Sequence, residues 1–158
     1  MKPIVTLLVV LGLGASAAPA AAQQFTFSFV PAVVAQASRR QIVPIKLQAA
    51  LEAQDRASDD LDALFAGKPR PKSLDADLAA VSDYEIALRD SVAAADLGAD
   101  EKSPLLARWR QGQRRFVGGA ERYARLLDAQ GARPDSAARR RVVEARRGAA
   151  DVETALGS

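Results

Sequence analysis

The chain has no cysteine and no histidine, and its one methionine is residue 1. The first absence excludes disulfides, thiol catalysis and thiolate metal sites. The second removes the imidazole base of every Ser-His-Asp arrangement and the Glu-x-x-His metal sites of ferritin-like bundles. Together they exclude His- or Cys-ligated zinc, blue copper and haem on its usual axial ligands. No metal and no cofactor is expected, and stability has to come from packing.

What is present is the composition of one ordinary globular domain: 158 residues, 49% hydrophobic and 26% charged, with 22 Lys and Arg against 19 Asp and Glu. The first 22 residues follow the plan of a secretory signal peptide. Met1-Lys2 is a short basic start, Ile4 to Gly14 is an uncharged run of 11 residues, and Ser16 to Ala22 is a small-residue stretch ending before Gln23. That run is shorter than the ~20 apolar residues a membrane span needs. Cleavage after Ala22 is expected, leaving residues 23–158 without a transmembrane span, periplasmic or secreted.

From Pro44 onward apolar residues recur at three- and four-residue steps, the mark of helices with one buried stripe. The first stripe is Leu47, Ala50, Leu51, Ala57, Leu61, Leu64 and Phe65, stopping at Gly67. Pro69 and Pro71 forbid helix continuation in the loop that follows. Ser73 reads as the N-cap of a second helix with Leu74, Leu78, Val81, Leu88, Val92 and Ala95 on its buried face, ending at Gly98. Ser103-Pro104 reads as the start of a third, with Leu105, Leu106, Trp109, Phe116, Ala120, Tyr123 and Leu127, closing at Gly131. A fourth starts near Pro134-Asp135 and carries Ala138, Val142, Ala145, Ala149, Val152 and Leu156. Short connections predict antiparallel neighbours. The expected fold is all-α, an up-down-up-down four-helix bundle over residues 44–158, preceded by an extended or irregular segment over 23–43, in which Ala32 to Val43, bracketed by Pro31 and Pro44, can form a helix that precedes or runs into the first long one.

Two places depart from the helical pattern. Gly112, Gly118 and Gly119 interrupt the third helix, each unfavourable by about 1 kcal/mol relative to Ala. Gly112 and Gly119 are seven apart on one face, which predicts a close helix approach or a tolerated kink, the functional alternative being a hinge or a notch for a ligand. In Gln23 to Val30, Phe25, Phe27 and Phe29 alternate with Thr26 and Ser28, a period of two that reads as a strand. Such a strand either lies across the bundle or adds to a partner protein's sheet edge.

With imidazole and thiol gone, catalysis would need carboxylates, hydroxyls, Lys, Arg or Tyr. Asp59, Asp60 and Asp62, and Asp75 with Asp77, are paired carboxylates at polar helix positions, where nothing separates their pKa values. The segment Asp96 to Glu101 lacks the spacing of a calcium loop, and Gly112 to Gly119 is not a phosphate-cradling loop. No catalytic residue is assigned, and a carboxylate-based hydrolase ranks third among the functional readings.

Charge is unevenly placed. Residues 23–100 hold 8 basic against 12 acidic side chains, a net of −4, and residues 101–158 hold 13 against 7, a net of +6. In an up-down-up-down bundle the first and third loops fall at one end. That end would gather Lys68, Arg70, Lys72, Arg133, Arg139, Arg140 and Arg141, with Asp62, Asp75, Asp77, Asp128 and Asp135 partly offsetting them. Arg108, Arg115 and Arg122, seven apart, predict a basic stripe running toward the same pole, and Asp96, Asp100, Glu101, Asp151 and Glu153 the opposite, acidic end. Pairs four apart, such as Glu121-Arg125, Arg140-Glu144 and Arg147-Asp151, are expected on the solvent faces.

The sequence therefore predicts an exported helical bundle that binds a partner protein of the cell envelope, as an adaptor, chaperone-like or envelope-associated protein. Binding of anionic lipid or polysaccharide at the basic pole is the alternative, and nucleic acid is not expected.

Overall fold

A computed structural model describes residues 23–133 and 136–158, with side chains from Ala35 onward. The chain divides into two units, Met1–Val34 and Ala35–Ser158, and the side-chain packing described below is that of the second. The signal peptide expected over residues 1–22 lies outside the described residues.

The fold is an all-α four-helix bundle, with α1 Gln23–Phe65, α2 Leu74–Ala95, α3 Ala99–Ala129 and α4 Ala137–Gly157. One expectation is corrected at once. Gln23 to Val30 are not a strand but part of α1, and Ala32 to Val43 form a helix that runs into the first long one, because α1 continues through Pro44. A helix closes its backbone hydrogen bonds locally, whereas a lone strand among helices leaves its N–H and C=O groups without a ladder partner. That requirement overrides the alternating phenylalanines. The side chains of Phe25, Phe27 and Phe29 lie outside the described residues, and a partner-binding strand is no longer the conformation of this segment.

Helix ends follow local chemistry, with adjustments. Gly67 and Gly131, at φ 75° and 70°, supply the left-handed turns after α1 and α3. Helix α2 stops before Gly98, because Asp96 itself takes the left-handed cap at φ 47°. Helix α3 starts one turn earlier than Ser103-Pro104: Gly98 is its N-cap, and the Gly98 N–H donates to Glu101 Oε2 at 3.0 Å. Ser73 is the N-cap residue of α2, but its hydroxyl makes no cap hydrogen bond; it donates to Asp60 Oδ2 at 2.6 Å, tying the α1–α2 connection to α1. The N-cap of α4 is Ser136, whose Oγ accepts from the Arg139 N–H.

Helix directions alternate along the chain, and side-chain pairings define which helices are neighbours. Residues 54 and 60 of α1 meet 85 and 73 beside α2, so these run antiparallel. Arg110 and Glu121 of α3 meet Glu153 and Arg146 of α4, again antiparallel. By contrast 48 and 62 of α1 meet 108 and 115 of α3, and 75 and 89 of α2 meet 141 and 151 of α4. Those two pairs run parallel. The order around the bundle is α1, α2, α4, α3, with consecutive helices α2 and α3 on a diagonal rather than side by side.

Packing fills the interior in two apolar layers. Toward the end that holds the first and third loops, Leu61, Leu74, Leu78, Val81, Phe116, Tyr123 and Val142 cluster; toward the other end, Val43, Leu47, Leu88, Val92, Trp109, Val152 and Leu156 do so. Fully burying such side chains contributes roughly 1.5–3 kcal/mol each. Trp109 satisfies its polar atom by donating Nε1–H to the Ala149 carbonyl at 3.3 Å.

Candidate functional site

The first and third loops do lie at one end. Asp75, just after the first loop, pairs with both Arg70 at 2.8 Å and Arg141 at 3.1 Å, and Arg139 pairs with Asp128. Of the seven basic residues assigned to this pole, Arg70, Arg139 and Arg141 are therefore committed to neighbouring carboxylates. Lys68, Lys72, Arg133 and Arg140 are exposed and enter no ion pair among the described residues. Two helices begin and two end at this pole, so their dipoles offset one another and its field comes from side chains. Four cations, on two loops and the first turn of α4, are thus left outside the ion pairs of the described residues.

The stripe on α3 is not part of that surface. Arg108 donates to Gln48, and Arg115 holds Asp59 at 2.7 Å and Asp62 at 2.6 Å. Arg122 places its guanidinium 4.1 Å from the centroid of the Phe65 ring. All three reach α1, so the stripe serves as the seam of the parallel α1–α3 pair. Asp59 and Asp62 are partners of Arg115, whose already high pKa they raise further through hydrogen bonds. Asp60 accepts from Ser73; partial burial raises the pKa of Asp77, and the charge of Asp60 adds to the rise.

At the other end Arg40 holds Glu101 at 3.4 Å and donates to the Asp96 carbonyl at 3.2 Å. Surface charges pair between helices more than along them. Glu121 takes Arg146, Asp151 takes Arg89 at 3.9 Å, and Glu153 takes Arg110 at 2.7 Å. Among the described residues no group of three or more acidic side chains is placed to hold a metal ion. No helix among them is long and apolar enough to cross a membrane.

The feature that sequence reasoning missed lies between the two apolar layers. Glu85 of α2 is fully buried, and its Oε1 accepts from Gln54 Nε2 of α1 at 2.8 Å. Its Oε2 faces the Gly148 backbone of α4, where the Cβ of any other residue would collide with it. Gln54 and Ser58 are buried beside it, and the Ser58 hydroxyl donates to the Gln54 carbonyl at 2.7 Å. Burial pushes the Glu85 pKa up to about 8 against the lowering effect of the Gln54 bond, and the negative charge of Asp151 adds to the rise. A shallow cleft of about 350 Å³ between α2 and α4 passes over Gly148 and is rimmed by Asp83, Arg89, Glu144, Arg147 and Asp151. Glu85 itself is closed from it.

A signal for this layer was present. The α2 stripe runs 74, 78, 81, 88, 92, 95, and its missing step is 85; Gln54 occupies the corresponding gap in α1, while Gly148 lies beside the unbroken stripe of α4 and gave no such signal.

Comparison with protein-family models, with curated proteins and with solved structures found no match.

Proposed function

We propose that the chain is an exported, cofactor-free bundle that works by binding a partner protein, and that its contact surface is the basic pole. The observation that carries this reading is the group Lys68, Lys72, Arg133 and Arg140, exposed at one end and outside the ion pairs that occupy the other cations there. Four positive charges at one end of the bundle, on two loops and the first turn of α4, suit an acidic protein face, and attraction of that kind raises the association rate and selects the partner. An anionic lipid or polysaccharide is the second reading, favoured by Arg133 and Arg140, whose planar guanidinium groups suit phosphate and carboxylate oxygens. Export rests on the three-part pattern of residues 1–22.

The test compares the mature chain with a variant carrying Glu at 68, 72, 133 and 140. Circular dichroism and unfolding should change little, because exposed charges contribute about 0–1 kcal/mol each. A partner captured by the wild type from envelope extract should be lost in the variant and should weaken with salt. Binding to anionic vesicles or polysaccharide at about 50 mM salt, where the Debye length exceeds 10 Å, would instead support the second reading. Equal behaviour of both proteins in every assay would make the pole an ordinary solvated surface.

A further inference from the structure

Between the two apolar layers the bundle holds a carboxyl group, that of Glu85, at the meeting of three helices, and no cation among the described residues pairs with it. Hydrogen-bond capacity determines what form it must take. An ionised carboxylate only accepts, and Gln54 has one amide group to offer. Gln54 Nε2 gives an N–H to Oε1, and two buried acceptors on the same two residues, Glu85 Oε2 and Gln54 Oε1, lack partners among the described residues. A proton on Oε2 turns one of these orphaned acceptors into the donor the other needs.

The surroundings favour that proton. From α4, Asp151 is the charge that acts on Glu85, and it is negative. Arg147 and Glu144 of α4 line the outer cleft, as do Asp83 and Arg89 of α2, and Arg89 is held by Asp90 and Asp151. From α1 the facing groups are the neutral Gln54 and Ser58, while Arg56 points to Asp77. Helix α3 turns its Gln113 and Arg110 to Glu153 and contributes apolar Trp109 and Phe116 to the layers on either side. An unpaired charge in such a place is costly unless it is neutralised.

We propose that Glu85 is protonated in the folded protein and forms a reciprocal acid–amide pair with Gln54, making the central layer a proton-dependent lock that joins α1, α2 and α4. Gly148 is part of the lock, because only a residue without Cβ lets α4 close over Oε2.

The sign of the pH dependence follows from linkage. A carboxyl whose folded-state pKa lies above its unfolded value binds more protons folded than unfolded between the two, so stability falls as pH rises across that interval. Here the interval runs from about 4.5 to about 8. Each unit of displacement is a factor of ten in the folding equilibrium, so the Glu85 contribution amounts to as much as roughly a thousandfold. Below the interval both states are protonated and the lock is closed without penalty.

Two measurements on the mature chain test this. Infrared spectra should show the carbonyl stretch of a buried carboxylic acid in the wild type at pH 6, absent at pH 10 and absent in Glu85→Gln. Urea unfolding at pH 5, 7 and 9 should show the folding equilibrium of the wild type declining with pH relative to Glu85→Gln, whose amide keeps a donor at every pH. The difference removes other titrating groups, Asp77 included. Absence of the acid band at pH 6, or a difference that stays flat from pH 5 to 9, overturns the proposal. Should Glu85→Gln not fold, the wild-type band and its titration midpoint decide alone: a midpoint in the ordinary carboxylate range refutes the lock.

Discussion

The three glycines inside α3 allow a test in which local and tertiary effects carry opposite signs. Replacing a mid-helix glycine by alanine gains about 1 kcal/mol of helix propensity wherever nothing else intervenes. At Gly118, which is exposed, an added Cβ has nothing within 4 Å, so Gly118→Ala should stabilise by about 0.5–1 kcal/mol. At Gly112 the same Cβ runs into Leu51 of the parallel neighbour α1. Overpacking costs about 1–3 kcal/mol, so the propensity gain is offset and the net effect should be a loss of up to ~2 kcal/mol. Gly119→Ala falls between, its Cβ 3.2 Å from Leu61 Cδ1. Leu51→Ala removes the obstacle, and in that background Gly112→Ala should change sign and stabilise by about 1 kcal/mol. Thermal or urea unfolding followed by circular dichroism resolves such differences, since 1 kcal/mol moves Tm by about 4 °C in a domain of this size. If Gly112→Ala is as stabilising as Gly118→Ala, or if the Leu51 and Gly112 effects simply add, α1 and α3 do not approach as described and the glycines have another purpose.

Other expectations follow from single contacts. Gly148→Ala should destabilise by about 1–3 kcal/mol by forcing Cβ against Glu85, and Glu85→Ala in the same background should recover part of the loss in unfolding experiments. Leu88→Ala, at a fully buried site, should cost about 2–5 kcal/mol by the same measurement. Ser136→Ala should cost about 0.5–1 kcal/mol through loss of the α4 cap, visible as a lower urea midpoint. Glu153 has its pKa lowered by hydrogen bonds from Arg110 and Gln113. Its contribution is present above the unfolded pKa and is lost as pH falls through the folded value, so Arg110→Ala should flatten the acid limb of the stability curve.

The apolar stripes from Leu47 to Leu156 were legible because each helix repeats the same three- and four-residue step, and the residues so marked are nearly all in the core. Glycines 67 and 131 were legible for a different reason: a left-handed cap has a steric requirement that one residue type meets best. Periodicity does not encode which helices become neighbours. The parallel pairing of α1 with α3 is set by Gly112 and Gly119 against Leu51 and Leu61, contacts between residues about 60 apart in the chain. Nor does a local pattern decide when a competing requirement is global, as for the alternating phenylalanines that stand in a helix.

The candidate sites were legible to different depths for the same reason. A loop's basic residues can be assigned to one pole from topology alone, but which remain free depends on partners. Asp75 takes both Arg70 and Arg141, one from its own connection and one from α4. The central layer shows the reverse. Gln54 and Glu85 each look like a minor lapse in a stripe when read one helix at a time, and Gly148 like a small residue beside one. Stacked at one level they form a group in which the glycine makes the room, the amide supplies the hydrogen bond and the carboxyl supplies the proton. Two polar lapses at one level cost less together than apart, because the amide and the carboxyl complement each other, and this is why they sit together between two otherwise apolar layers.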